Sequence, residues 1–105
     1  MVKKKTCVFI SGSGTNLKAL IYNSRHYNFP ININLIICNN KNAKGLSFAK
    51  KFAIPHIVIN SKDKLFEIKI LNEIKKKNIS LICLAGYMKI ISKRFIKNFN
   101  GKIIN

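Results

Sequence analysis

Residues 8–17, VFISGSGTNL, place Gly12 and Gly14 directly before Thr15 and Asn16. Glycine can adopt positive φ and puts no side chain in the way of an approaching ligand. Thr15 and Asn16 add a hydroxyl and an amide where a helix would begin, and the first N–H groups of a helix have no internal partner. The chemistry that suits such a corner is phosphate binding. The pattern is not a Walker loop, since no Gly-Lys-Ser/Thr follows, and it is an imperfect dinucleotide fingerprint, since Leu17 stands where the third glycine belongs. An ordinary tight turn capped by Asn16 would carry the same residues, and at this point both readings stand.

Two further segments carry chemistry. In LAGYMKIIS, residues 84–92, Gly86 leaves an apolar run, and Tyr87, Met88, Ile90 and Ile91 follow in close succession. Four such side chains cannot all reach a core from one short loop. Some should line an apolar slot fit for a flat ligand, unless the loop folds back on the core. Asn105 follows the run KII. A side-chain amide at the carboxyl end of a strand can donate to an oxygen that gains charge during a reaction, although a lone asparagine there is more often just solvated. His26 and His56 have no adjacent carboxylate in the sequence and are not acid–base candidates. Asp63, Glu67 and Glu73 all fall on one expected helix, where carboxylates among lysines are solvated or paired; no catalysis is assigned to them. Cys7, Cys38 and Cys83 sit inside apolar runs without CxxC or metal-ligand spacing, which reads as reduced, buried thiols and no metal.

The elements that must position these residues alternate. Strands are expected at 6–11, 32–38, 55–59, 80–85 and from 102 onward. Helices are expected at 16–24, 43–52, 62–77 (capped by Ser61) and 92–99 (capped by Ser92). Strands separated by helices imply βαβ units, so the fold class is α/β: an open, mostly parallel, Rossmann-like sheet in one domain spanning residues 1–105. The runs INLIIC and ISLICLA are almost continuously apolar, as in strands buried on both faces. Ligands of such sheets bind beyond the carboxyl ends of the strands. That rule selects the loops at 11–16, 39–41 and 86–91.

Composition narrows the partners. Apolar residues make up 48% of the 105 residues, yet no segment reaches the roughly 18 to 20 uninterrupted apolar residues of a membrane span. The apolar stretch after Lys3, Lys4 and Lys5 is too short for a signal peptide. A cytoplasmic location without a membrane partner is expected. The net charge of +17 invites a nucleic-acid reading. Against it, the chain has 18 lysines but only two arginines, Arg25 and Arg94, and arginine is the better bidentate phosphate ligand. Lys, Ile and Asn together supply 51 residues (18, 19 and 14) and share A/T-rich codons, so mutational bias accounts for the same numbers. The expectation is a positive field that attracts anionic substrates, with no specific nucleic-acid partner.

Taken in order, VFISGSGTNLKALI, LIICNNKNAKGLSFAKKFAIP and LICLAGYMKIISKRFIKNFNGKIIN resemble the N-terminal half of the phosphoribosylglycinamide formyltransferases, the folate-dependent glycinamide ribonucleotide transformylases of purine synthesis. The resemblance covers essentially the whole chain and about half of a family member. It implies the formyltransferase fold, cut after the fifth strand begins, with 10-formyltetrahydrofolate as co-substrate and glycinamide ribonucleotide as the acceptor. By the same resemblance Gly14, Thr15 and Asn16 hold the ribonucleotide phosphate. Met88, Lys89, Ile90, Ile91 and Asn105 line the folate site, with Leu84, Ile96 and Ile103 as apolar wall. Asn105 matches the family's active-site asparagine, which stabilises the tetrahedral intermediate.

The family's essential histidine, in an N-I-H-P-S-type motif, and a later aspartate would lie beyond Asn105. The 105-residue chain is therefore expected to be inactive alone, with a complementary C-terminal half as its implied partner. Lys89 stands where family members often have arginine, and a folate-contacting arginine has no clear counterpart, Lys62 and Lys64 being the nearest substitutes. The alternatives at this point are a non-catalytic phosphate-binding half of a split enzyme and a basic nucleic-acid-binding module.

Overall fold

A computed structural model describes residues 2–105. Five strands and four helices alternate along the chain: β1 Lys4–Ile10, α1 Thr15–Ser24, β2 Ile31–Cys38, α2 Leu46–Lys51, β3 His56–Val58, α3 Phe66–Lys76, β4 Leu81–Leu84, α4 Lys93–Asn98 and β5 Lys102–Ile104. The strands form one sheet in the order β3-β2-β1-β4-β5, and every pairing is parallel. The expected open parallel α/β sheet is what the chain adopts.

Side-chain alternation along the central strands divides the core in two. Val8 and Ile10 of β1, Ile36 and Cys38 of β2, and Cys83 of β4 face α1 and α2, meeting Leu17, Ile21, Leu46 and Ala49. Cys7 and Phe9, Leu35 and Ile37, and Ile82 face the other way, onto Ile70 and Ile74 of α3 and Phe95 of α4. Both faces are covered, which is why these strands are apolar at consecutive positions. Phe95 packs edge-on to Phe9, with ring centroids 6.2 Å apart, and stacks on Phe99 at 6.5 Å. The three cysteines lie in these strands, buried and unpaired, and burial pushes all three thiols above their ordinary pKa.

Two helices are shorter than the sequence pattern implies. The run 43–52 becomes helical only at Leu46: ahead of it the chain closes tighter turns, Leu46 N on Ala43 O at 3.2 Å and Ser47 N on Lys44 O at 3.1 Å, and the Gly45 N–H donates to the Gly12 carbonyl at 3.0 Å. The run 62–77 becomes helical only at Phe66. Ahead of it, Asn60 Oδ1 accepts from Lys62 N and Asp63 Oδ1 from Leu65 N, each at 2.9 Å. These local side-chain bonds give the backbone an alternative to the helix, and Ser61 caps nothing. Asp63 therefore lies outside α3 and shares no helix face with Glu67. It pairs instead with Lys69, at 2.5 Å, and that contact draws its carboxyl below the ordinary range. Ser92 does cap α4 as expected, its Oγ accepting from Phe95 N at 3.1 Å.

Candidate functional site

The strand order makes β1 the pivot of the fold. The chain leaves β1 for β2 on one side, and returns later to build β4 on the other. Loops that follow β1 and β4 diverge at such a switch point and leave a crevice at the carboxyl ends of the strands, the usual ligand position in open parallel sheets. Two of the three loops selected from sequence flank it directly. The third follows β2, whose Cys38 pairs with Ile10 at the end of β1.

The β1 loop is held in shape by backbone contact rather than side-chain capping. Gly14 has φ +76°, in the left-handed region, and precedes α1 as its N-cap without any side-chain cap bond. Asn16 is thus not the cap. A Cβ on Gly14 would lie 2.5 Å from Gly45 Cα and 3.2 Å from the Phe48 ring. The Gly12 carbonyl is tied to the Gly45 N–H, as above. Gly14 and Gly45 form a close backbone–backbone contact that only glycines permit. Gly12 itself keeps an ordinary φ and has open space around it, so of the two loop glycines only Gly14 uses the conformational freedom expected of both. Lys18 N closes the first turn on Gly14 O at 2.8 Å. The N–H groups ahead of it have no preceding turn to bond to, and no acidic residue occupies that turn. Ser13 Oγ and Thr15 Oγ1 lie 3.2 Å apart, and Ser13, Thr15 and Asn16 are all exposed. Such a corner can accept an anion of phosphate size.

The β4 loop splits its apolar residues between two tasks. Tyr87 and Ile91 turn inward onto the second core cluster. Tyr87 meets Phe9 edge-on, with ring centroids 5.1 Å apart. Burial, then the nearby Glu67 and Cys38, push the Tyr87 phenol up to about 12. Met88 and Ile90 point out, 82% and 88% exposed. Lys89 reaches back over the Phe66 ring, its Nζ 5.6 Å from the centroid. Gly86, at φ +72°, makes the turn out of β4. Leu84 and Ile103 pack against the core, whereas Ile96 is 53% exposed and stands apart from them.

The two loops are tied to each other and to α3. Met88 N donates to Ser11 Oγ at 2.8 Å, across the crevice floor. At the far end of the β4 loop, both carboxylate oxygens of Glu67 are engaged: Oε2 accepts from Ser92 N at 3.1 Å and Oε1 from Ser92 Oγ at 2.5 Å. Asn105 follows β5, one residue past Ile104, which pairs with Cys83. It is exposed at the same carboxyl edge, two strand spacings, or about 10 Å, from β1. Sequence reasoning missed Gly45 and Glu67. Gly45 had left a signal, a glycine inside a run read as helix; Glu67 had left none.

The two histidines, set aside as acid–base groups from the sequence, lie elsewhere. His56 is at the start of β3, Nδ1 3.1 Å from Ile54 O, away from the carboxyl edge. His26 is exposed beyond α1, its carbonyl accepting from Lys3 Nζ. Hollows also exist beside β3, one of about 620 Å³ bordered by Ile57, Asn60, Asp63 and Lys69. These flank the edge strand and contain none of the turns described above. No helix among the described residues is long and apolar enough to cross a membrane, and no cluster of potential metal ligands occurs among them.

Comparison with known proteins identifies the family and agrees with the fold. A profile of the family described as formyl transferase matches residues 4–105. The phosphoribosylglycinamide formyltransferase of Bacillus subtilis is 33% identical over 106 residues, covering 97% of this chain and 54% of its own. The trifunctional purine biosynthetic protein adenosine-3 of Chironomus tentans is 38% identical over 109 residues, covering 98% of this chain and 8% of its own. Among solved structures, glycinamide ribonucleotide transformylase 1 of Geobacillus kaustophilus superposes with a TM-score of 0.88 at 36% identity, over 96% of this chain and 56% of that one. The chain spans about half the length of the single-activity relatives it matches and a much smaller share of the trifunctional ones. Matched by the family profile over residues 4–105 and superposing on a solved transformylase over 96% of its length, the chain belongs to the formyl transferase family.

Proposed function

We propose that this chain supplies the ribonucleotide-phosphate side of an enzyme that moves a formyl group from 10-formyltetrahydrofolate to the amine of glycinamide ribonucleotide in purine synthesis. The observation that carries the reading is the Gly14–Gly45 contact, which fixes a left-handed turn and the open end of α1 at the switch point between β1 and β4. In this reading the N–H groups and side chains of Gly14, Thr15 and Asn16 hold the phosphate. Met88, Lys89 and Ile90 take the flat folate ring, with exposed Met88 and Ile90 offering apolar surface and inward-packed Ile91 backing the loop from the core. The net charge of +17 draws in both anionic substrates.

The substrate amine attacks the formyl carbon, the carbonyl π pair moves to oxygen, and the Asn105 amide donates to that oxyanion. Collapse of the intermediate expels the folate N10, and the proton lost by the amine replaces the formyl group there. Catalysis rests on holding two substrates in attack geometry and on stabilising the oxyanion. Neither His26 nor His56 lies at the crevice. Neither histidine is placed to carry that proton, and we propose that the 105-residue chain by itself binds the ribonucleotide without turning it over.

The test is calorimetric titration with glycinamide ribonucleotide, comparing the chain with Thr15→Ala and Asn16→Ala. Each substitution removes a charge-assisted hydrogen bond and is expected to weaken binding roughly 10- to 100-fold. Binding unchanged by both substitutions overturns the assignment of the turn.

A further inference from the structure

The chain has three carboxylates among 20 cationic residues. Asp63 pairs with Lys69 and Glu73 with Lys76. Glu67 alone makes no ion pair among the described residues, although lysine is the commonest charged side chain in the molecule. Both of its oxygens go to one residue, Ser92, through the backbone N–H and the hydroxyl. The same hydroxyl then accepts from Phe95 N, so the bonds run in relay from α3 through Ser92 into α4. Ser92 is also where the β4 loop ends. Its other anchor is Met88 N on Ser11 Oγ. The residues between these two anchors are those proposed to take the folate.

We propose that Glu67 is a positioning residue: it pins the far end of the 86–91 loop through Ser92, and thereby holds Met88 and Ile90 at the crevice while Tyr87 and Ile91 stay packed inside. The functional part of this inference rests on the folate reading given above; the structural part does not. Three observations support it. Tyr87 and Ile91, at either end of the exposed pair, are seated on the same core cluster as Phe66 of the first turn of α3, which also carries Glu67. Lys89, within the loop, lies over that Phe66 ring. A carboxylate accepting two donors from a single residue fixes direction as well as distance, which a lysine ion pair on a flexible stem does not.

The experiment measures native-state amide hydrogen exchange and ligand binding in the chain, Glu67→Gln and Glu67→Ala. In Glu67→Ala the amides of Ser92 and Met88 are both expected to exchange roughly 10- to 100-fold faster, by loss of a charge-assisted anchor. Met88 is the informative position, because its own acceptor, Ser11, is untouched. Glu67→Gln keeps one acceptor oxygen and is expected to recover part of the protection. In the same variants, affinity for 10-formyltetrahydrofolate should fall roughly tenfold in Glu67→Ala and less in Glu67→Gln, with glycinamide ribonucleotide affinity unchanged. Unchanged Met88 exchange in Glu67→Ala overturns the proposal, as does an equal loss of both ligands. If the unsubstituted chain binds the ribonucleotide but no folate, the folate reading fails, and the exchange data still decide whether Glu67 sets the loop.

Discussion

Replacing Gly14 by alanine tests whether the close backbone contact beneath the β1 loop is as tight as described. Two penalties act together. A non-glycine residue in the left-handed region at φ +76° is strained by about 1–2 kcal/mol. The new Cβ would also stand 2.5 Å from Gly45 Cα, and forcing an extra carbon into packed space costs about 1–3 kcal/mol more. The sum is about 2–5 kcal/mol, a large part of the roughly 5–15 kcal/mol that stabilises a domain of this size. Urea denaturation followed by circular dichroism would read it as a midpoint lowered by roughly 1–2 M. Gly12→Ala is the internal control, since its Cβ meets nothing within 4 Å and its effect should stay within about 0.5 kcal/mol. Gly45→Ala should fall between them. Its φ is −59°, and its new Cβ would meet the buried Ile10 Cδ1 at 2.8 Å and the backbone atoms Gly14 Cα and Gly12 O at 3.0 and 3.1 Å. In the double variant Gly14→Ala/Gly45→Ala the losses should not add, because either substitution alone already parts the two backbones. A Gly14→Ala chain as stable as Gly12→Ala would refute the reasoning, and with it the buttressed turn.

Two further outcomes follow from the core and from Tyr87. Phe95 is 1% exposed between Phe9 and Phe99, and Phe95→Ala should destabilise by about 3–5 kcal/mol in the same denaturation assay; a loss under about 1 kcal/mol would show that α4 is not seated as described. The Tyr87 phenol, pushed up to about 12 by burial and then by Glu67 and Cys38, keeps its proton in the folded chain over a range where an unfolded tyrosine, with a pKa near 10, has lost it. Folding stability should therefore decline as pH rises from about 10 to about 12 and the decline should be smaller in Tyr87→Phe, as measured by urea midpoints across that range.

Much of the architecture was legible because buried parallel strands leave a strong mark. INLIIC and LICLA are apolar at consecutive positions, and the structure shows the two core faces that require it. The β1 loop was legible for a local reason: its glycines and the helix start adjoin in sequence. Where reading failed, a side chain or a distant backbone group had outbid the local helix pattern. Asn60 and Asp63 captured nearby N–H groups and delayed α3 to Phe66. Gly12 holds the Gly45 N–H just ahead of α2, where the chain closes tighter turns and becomes helical only at Leu46. The second of these is a contact between different βα loops, and its existence depends on the β1–β2 register, which no local window contains. The split of the β4 loop into inward Tyr87 and Ile91 and outward Met88 and Ile90 was expected only as a division without assignment, since which residues turn in depends on where Phe9 stands on β1.

Three long-range ties meet at the carboxyl end of the sheet, and their placement bears on the proposed function. Gly45 holds the β1 loop from the β2 side, Ser11 joins that loop to the β4 loop, and Glu67 holds the β4 loop from α3. Two of these ties use backbone or a short serine, and the Glu67 carboxylate accepts two donors from the single residue Ser92, so each fixes direction as well as distance. The exposed groups they surround, the first turn of α1 on one side and Met88 and Ile90 on the other, make few contacts of their own. A rim whose supports are rigid and whose presented groups are unpaired is the arrangement expected where a ligand completes the bonding, because the ordering is already done before the ligand arrives. At the amino ends of the strands the corresponding long-range side-chain tie is Lys3 reaching the carbonyls of Ser24 and His26, a long flexible cation closing the end of a helix. The proposed chemistry at the carboxyl edge calls for fixed geometry, whereas the opposite edge calls only for closure.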